Sequence, residues 1–174
     1  MKLAYFLLGA ICLPVNAEVL STAPNGFVIH LETTVKVDAT TAYQQFLNVA
    51  DWWDAAHTYY GKSENLSIDA VAGGCFCETF GENQVLHMTV SYVEPGREVR
   101  MTGGLGPLQM LGVHGGMSWK FEELENGVTK ITHRYQVSGY VDGGLDKFAK
   151  FVNKVQAGQL EQLRQKLAGN EFTQ

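Results

Sequence analysis

The sequence has little cysteine, proline or charge, and each shortage narrows what the chain can be. Charged residues make up only 18% of the chain against 45% hydrophobic, a balance that excludes a disordered polymer. Lys and Arg number 13 against 18 Asp and Glu, a net charge of -5. The basic field that nucleic acids and anionic membrane surfaces require is therefore missing. Four prolines in 174 residues, with no Pro/Ser-rich tract and no internal repeat, leave nothing to divide the chain. It is long enough for one domain with a real core and short for two. No serine sits in a G-x-S-x-G elbow, and no glycine-rich stretch has the Lys-Ser/Thr of a phosphate loop.

What is present begins with a leader pattern. Lys2 precedes an apolar run from Leu3 to Leu13, and Val15-Asn16-Ala17 has the small-x-small form of a signal-peptidase site. The run is too short to span a bilayer. Residues 1–17 are read as a signal peptide and 18–174 as the mature domain, exported to the periplasm or secreted, with no stable membrane anchor. Ile11 stands before Cys12 where a lipidation motif would have a small residue, so no acyl anchor is expected. Removal of residues 1–17 takes Lys2 and Cys12 with it, so the charge becomes -6 and the cysteines left are Cys75 and Cys77. Export places both in an oxidising space.

Phe27 to Val37 alternates apolar and polar residues as a half-buried strand does. Asp38 or Thr40 can cap a helix with Ala42, Tyr43, Phe46 and Leu47 on one side, and "NVADWWDAAHTYYG" opens from a short helical turn into an aromatic loop. Short antiparallel strands follow: Asn65–Val71, Cys75–Phe80, Val85–Val93, Glu98–Thr102, His114–Glu122 and Val128–Gly139, with Asn126-Gly127 the strongest hairpin signal. From Leu145 to Leu167 the apolar positions switch to helical spacing, and Gly169 stands where a C-terminal cap belongs. Gly158 and Gln159 occupy positions read as inward on this helix, which suggests a packing gap beneath it.

This order implies an α+β fold in which a curved antiparallel sheet wraps a long C-terminal helix, with two short helices near the N-terminus closing one end. In that order the chain resembles the START-like (SRPBCC) helix-grip superfamily of polyketide cyclases, chaperone-ATPase activators and lipid-transfer proteins. "WWDAAHTYYG", "GGCFCE" and "GGLGPLQMLGVHGGMSW" resemble an exported bacterial group within it. The resemblance implies a cavity between sheet and helix. It permits cyclisation there, but the sequence offers no matched acid and base, so enzymatic activity is not the favoured reading.

The candidate ligand-binding residues follow from that cavity. Trp52, Trp53, His57 and Tyr59 lie in the aromatic loop, where indole and phenol groups can grip an apolar guest. His133 and Tyr135 share the apolar face of their strand, Trp119 that of its neighbour, and Leu108 belongs to a glycine-rich apolar lip. Phe151, Val155 and Gln159 come from the helix. Glu78, if inward, is a buried carboxyl group that needs a partner. The guest is expected to be a small hydrophobic molecule or lipid, held by a carrier or sensor with no cofactor.

Three readings of Cys75 and Cys77 remain open. They fill a curved sheet as small hydrophobes, they form a redox-labile disulfide across a separation near the long end of the permitted range, or they bind copper or zinc with His87. Folding the hairpin about Glu82 sets His87 opposite Cys77, and a one-residue slip would put Met88 there instead.

Overall fold

The computed structural model describes residues 14–169. The apolar run of the expected leader, residues 3–13, lies outside the described residues. Eight strands form one antiparallel sheet: β1 (Asn16–Ala23), β2 (Gly26–Val35), β3 (Leu66–Ile68), β4 (Cys75–Phe80), β5 (Asn83–Glu94), β6 (Glu98–Thr102), β7 (His114–Glu123) and β8 (Thr129–Ser138). Their spatial order is β1-β2-β8-β7-β6-β5-β4-β3. Two helices complete the fold, α1 (Ala39–Leu47) and α2 (Asp146–Gly169). This is the α+β helix-grip arrangement. Register shifts in β1, in the β4–β5 pair and in the β5–β6 pair each add local twist, which helps the sheet curve.

The alternation in β2 and β8 makes the inner wall. Phe27, Ile29 and Leu31 face the same side as Ile131, His133, Tyr135 and Val137, and all are buried. The strands pair in register, Ile29 with Tyr135 and Leu31 with His133. Asp38 caps α1 by accepting from the Thr41 N–H at 2.8 Å and from its hydroxyl at 2.7 Å. That fixes the start of α1 and turns Ala42, Tyr43 and Phe46 inward. Phe46 then meets Trp119 with ring centroids 5.0 Å apart and Phe121 at 5.4 Å, a packing of tilted rings that aromatic quadrupoles favour.

Helix α2 lies against β1 and β2. Its buried face runs Ala149, Val152, Gln156, Gln159, Leu160, Leu163 and Leu167. The lower half is solid: Leu160, Leu163 and Leu167 are fully buried. Two expectations change here. Gly158 faces solvent rather than the sheet, because the inward stripe passes through Gln156, Gln159 and Leu160 instead. Gly169 is helical, not beyond the helix.

β1 is a strand that the alternation did not suggest. It is an edge strand, largely exposed, with only Ala17 and Val19 half-buried, so its pattern is faint. Asn16 and Ala17 already pair with Glu32 and Leu31.

Candidate functional site

The site is assembled on a loop that two distant side chains hold in place. In the stretch 48–65, Trp53 donates its indole N–H to the His57 carbonyl at 3.1 Å, and Asp54 accepts from the Ala56 N–H at 2.9 Å. These local bonds shape a short turn, and the rest of the loop is tied to other elements. Gln159 on α2 accepts from the Asp54 N–H at 2.9 Å, while Glu78 on β4 accepts from the Tyr59 N–H at 2.9 Å and the Tyr60 N–H at 2.8 Å. Backbone donors in an irregular loop need such acceptors when they leave water. Glu78 is fully buried, and its partners account for it.

Glu78 has a third neighbour. His87 Nε2 lies 3.2 Å from its Oε2. His87 reaches this place through an irregularity in the β4–β5 pair: Phe76 pairs with Met88 and Cys77 with Leu86, so His87 is the extra residue on β5. The expected register, His87 opposite Cys77, is corrected. The hairpin turns about two residues, Gly81 and Glu82, with Phe80 paired to Asn83, not about Glu82 alone. The bulge turns both His87 and Met88 inward, where both are buried. Bulges re-aim side chains in this way beside functional sites. The His87 ring lies against Phe76 at 4.9 Å and Tyr59 at 5.7 Å.

The opposite wall is the glycine-rich lip. Tyr135 donates its hydroxyl to the Gly103 carbonyl at 3.2 Å and accepts from the Leu105 N–H at 3.0 Å, which pins the lip to β8. Gln109 ties it to β5 by donating to the Leu86 carbonyl at 2.7 Å. The Tyr135 ring passes over Gly115, where an added Cβ would lie 2.6 Å from Cε2, so the glycine is a condition of the tyrosine's position.

Between these walls and the first half of α2 lies a cavity of about 730 Å³. The aromatic loop contributes Trp53, His57 and Tyr59, the lip Leu105, Leu108 and Leu111, the sheet His87 and Tyr135, and α2 Phe148, Phe151, Val152, Val155 and Gln156. Among the described residues, none that lines it is Lys, Arg, Asp or Glu. Met110 at 87% exposure, Phe151 at 62% and Tyr59 at 48% leave an apolar mouth open to water.

Trp53, His57, Tyr59, Leu108, Tyr135, Phe151 and Val155, all expected from sequence, meet in this cavity. The other expected residues stand behind it. Trp52 and Trp119 are core: Trp52 donates to the Phe46 carbonyl at 3.1 Å, and Trp119 stacks on His133 at 4.1 Å. His133 is wholly buried between the Ser118 carbonyl and Gln156, at 3.2 and 3.0 Å. Glu78 and Gln159 shape the loop and do not line the cavity. Sequence reasoning missed His87 as a lining residue, because a bulge has no local signature. It also missed Gln156, whose signal was its place four residues after Val152 on the helix.

Burial sets the protonation states. Desolvation pulls His133 down to about 4 and holds it neutral, against weaker opposing effects of Ser118 and Gln156. His87 is likewise lowered by burial, opposed by Glu78. Tyr135 is pushed up to about 12 by burial. His133, His87 and Tyr135 are therefore neutral hydrogen-bonding groups near pH 7.

Cys75 and Cys77 are on the other face of β4 and form a disulfide with each other. Their Cα atoms are 5.4 Å apart, in the ordinary range for a disulfide and shorter than the roughly 6.6–6.8 Å of two residues in a regular strand. The disulfide draws this span of β4 in, so the wide separation expected for this pair does not occur. With both sulfurs bonded on the outer face and His87 on the inner one, the three residues do not come together. No cluster of three potential ligands is found among the described residues.

No protein-family model matches the chain, and no curated protein matches it in sequence. Solved structures do resemble it in shape. The Mll3558 protein from Rhizobium loti superposes with a TM-score of 0.57 at 16% identity, over 89% of this chain and all of that one. Ara h 8.0201 gives 0.55 at 14% identity over 83% and 99%. DynU16, from the dynemicin biosynthetic locus, gives 0.55 at 15% identity over 80% of this chain and 46% of its own. At these identities the likeness establishes a shared helix-grip fold, and nothing of the group-specific motifs.

Proposed function

We propose that this protein is an exported carrier or sensor that holds a small hydrophobic molecule between its sheet and its C-terminal helix. The observation that carries the reading is the cavity of about 730 Å³ with an uncharged, mostly apolar lining and an exposed apolar mouth. That is a volume in the range of small-molecule sites. Filling it with a guest removes apolar wall from water at about 25 cal/mol per Å². The leader pattern at residues 1–17 supports export, and the mature chain is expected to start at Glu18. Intact mass of protein from the exporting host's envelope or medium tests that part.

The test of binding is a fluorescence titration with N-phenyl-1-naphthylamine, a neutral apolar dye. Saturable enhancement at one site is expected. Val155→Trp, which places an indole in the cavity, should abolish it while leaving the fold intact. Enhancement that persists undiminished in a folded Val155→Trp protein counts against the reading.

A second reading is favoured by one specific observation, the buried His87–Glu78 pair beside the cavity. In a cyclase-like enzyme such a pair would serve as a proton acceptor next to the guest. The metal reading draws no support from the separation of His87 from the cysteines. Cys75 and Cys77 enter a redox reading only as an outer-face disulfide.

A further inference from the structure

The hydrogen-bonding groups around the cavity are unbalanced. Its inner side-chain donors are used internally: the Trp53 indole bonds the His57 carbonyl, the Thr58 hydroxyl the Ala55 carbonyl, and the Tyr135 hydroxyl the Gly103 carbonyl, while Tyr59 and His57 stand at the exposed mouth. Its acceptors are not. Both oxygens of Glu78 already face backbone N–H groups, so the carboxyl acts as an acceptor and His87 presents Nε2–H to it. That tautomer leaves Nδ1 of His87 as a lone pair, buried and with no partner.

His87 Nδ1 is sealed off, and Gln156 supplies the acceptor that a guest can reach. A neutral imidazole carries one N–H, and the Ser118 carbonyl beside Nδ1 of His133 can only accept. Nδ1 therefore keeps the proton and Nε2 is a lone pair. With Gln156 Oε1 3.0 Å from that atom, two acceptors would face each other. Half a turn of the amide removes the conflict: its NH₂ donates to His133, and Oε1 turns toward the cavity that Gln156 lines. Leaving a buried acceptor unsatisfied is costly, so a guest that donates to it gains over one that does not.

We infer that the cavity selects neutral, largely apolar guests bearing a hydroxyl or N–H donor, with Gln156 Oε1 as the group that reads it. Matched guests without a donor bind more weakly, and carboxylates are rejected. A carboxylate would bring two more acceptors to a wall with no cation, since among the described residues no Lys or Arg lines the cavity. His57, the other lining imidazole, is exposed at the mouth, away from any buried anion. This selectivity rests on the carrier reading above and specifies its ligand class.

The test compares three probes of one shape: 1-naphthol, 1-methoxynaphthalene and 1-naphthoate, titrated at pH 7.5 by tryptophan fluorescence. At least tenfold tighter binding of 1-naphthol than of either other probe is expected. Gln156→Leu, checked for folding by circular dichroism, should shrink the naphthol–methoxynaphthalene gap to threefold or less. On the unsubstituted protein, ¹⁵N NMR should show His133 as the Nδ1–H tautomer, and the Gln156 side-chain amide resonances should move on addition of 1-naphthol and not of 1-methoxynaphthalene. Equal binding of the two neutral probes, or preferred binding of 1-naphthoate, overturns the inference while leaving the carrier reading in place. Failure of all three probes and of the neutral dye overturns both.

Discussion

At the scale of single residues, the account turns on polar side chains placed where apolar ones would pack as well. His133 is the sharpest case. Its alternation with Ile131 and Tyr135 put it on the apolar face in the sequence, and the structure buries it completely. Its partner was not legible, because Gln156 comes from an element 23 residues away. Because its folded value is depressed to about 4 from 6.5, the unfolded chain binds the extra proton first as pH falls. The contribution of His133 to stability is therefore full above about pH 6.5, declines toward pH 4 and levels off below it, by an amount on the order of 3 kcal/mol. His87, also lowered, adds in the same direction. Urea midpoints at pH 7.5, 5.5 and 4.5 should fall in that order, and His133→Gln should flatten the slope. A smaller probe of the same region is Gly115→Ala. It pushes the Tyr135 ring off its bonds to the lip and should cost about 1–3 kcal/mol, read as a lowered melting temperature.

Individual elements were largely legible, and the exceptions have physical causes. Strands β2, β7 and β8 announced themselves by period-two patterns, β4, β5 and β6 by the turns that separate them, and α2 by its helical stripe. β1 did not, since an exposed edge strand needs no apolar alternation. Bulges are also silent: the extra residue on β5 decides that His87 faces the cavity, yet nothing near "VLHMTV" marks it. The phase of α2 was misjudged at one turn, so the open space lies beside Val152, Val155 and Gln156 rather than at Gly158.

The bulge also connects the two faces of β4. The disulfide shortens the Cys75–Cys77 span on the outer face, while Phe76 and Glu78 point inward from the same stretch. Reduction, or Cys75→Ser with Cys77→Ser, lets β4 lengthen toward a regular strand and disturbs the Tyr59 and Tyr60 bonds to Glu78. Dye affinity should drop several-fold, with global stability changed less than dye binding. An affinity indifferent to reductant would show that the outer face does not act on the cavity. Gln159→Leu, which removes the other acceptor holding the loop, should speed dye release in stopped-flow measurements.

For the whole molecule, one half of the α2–sheet space is core and the other is hollow. Leu160, Leu163 and Leu167 close the solid half, and truncating Leu163 to alanine should cost about 2–5 kcal/mol. Val152→Phe in the hollow half should cost little and weaken guest binding, a contrast that only a division of this kind produces. The sequence showed the grip of sheet on helix and the apolar residues of the wall, because periodicity reports burial. It did not separate cavity wall from core, because Trp52, Trp53 and Trp119 look alike until the rings are packed. Intermolecular NOEs between N-phenyl-1-naphthylamine and methyl-labelled protein test the hollow interior most directly. Contacts to the methyls of Leu108, Val152 and Val155 are predicted; contacts confined to outward-facing methyls such as Leu20 and Leu86, with none to those three, would contradict it.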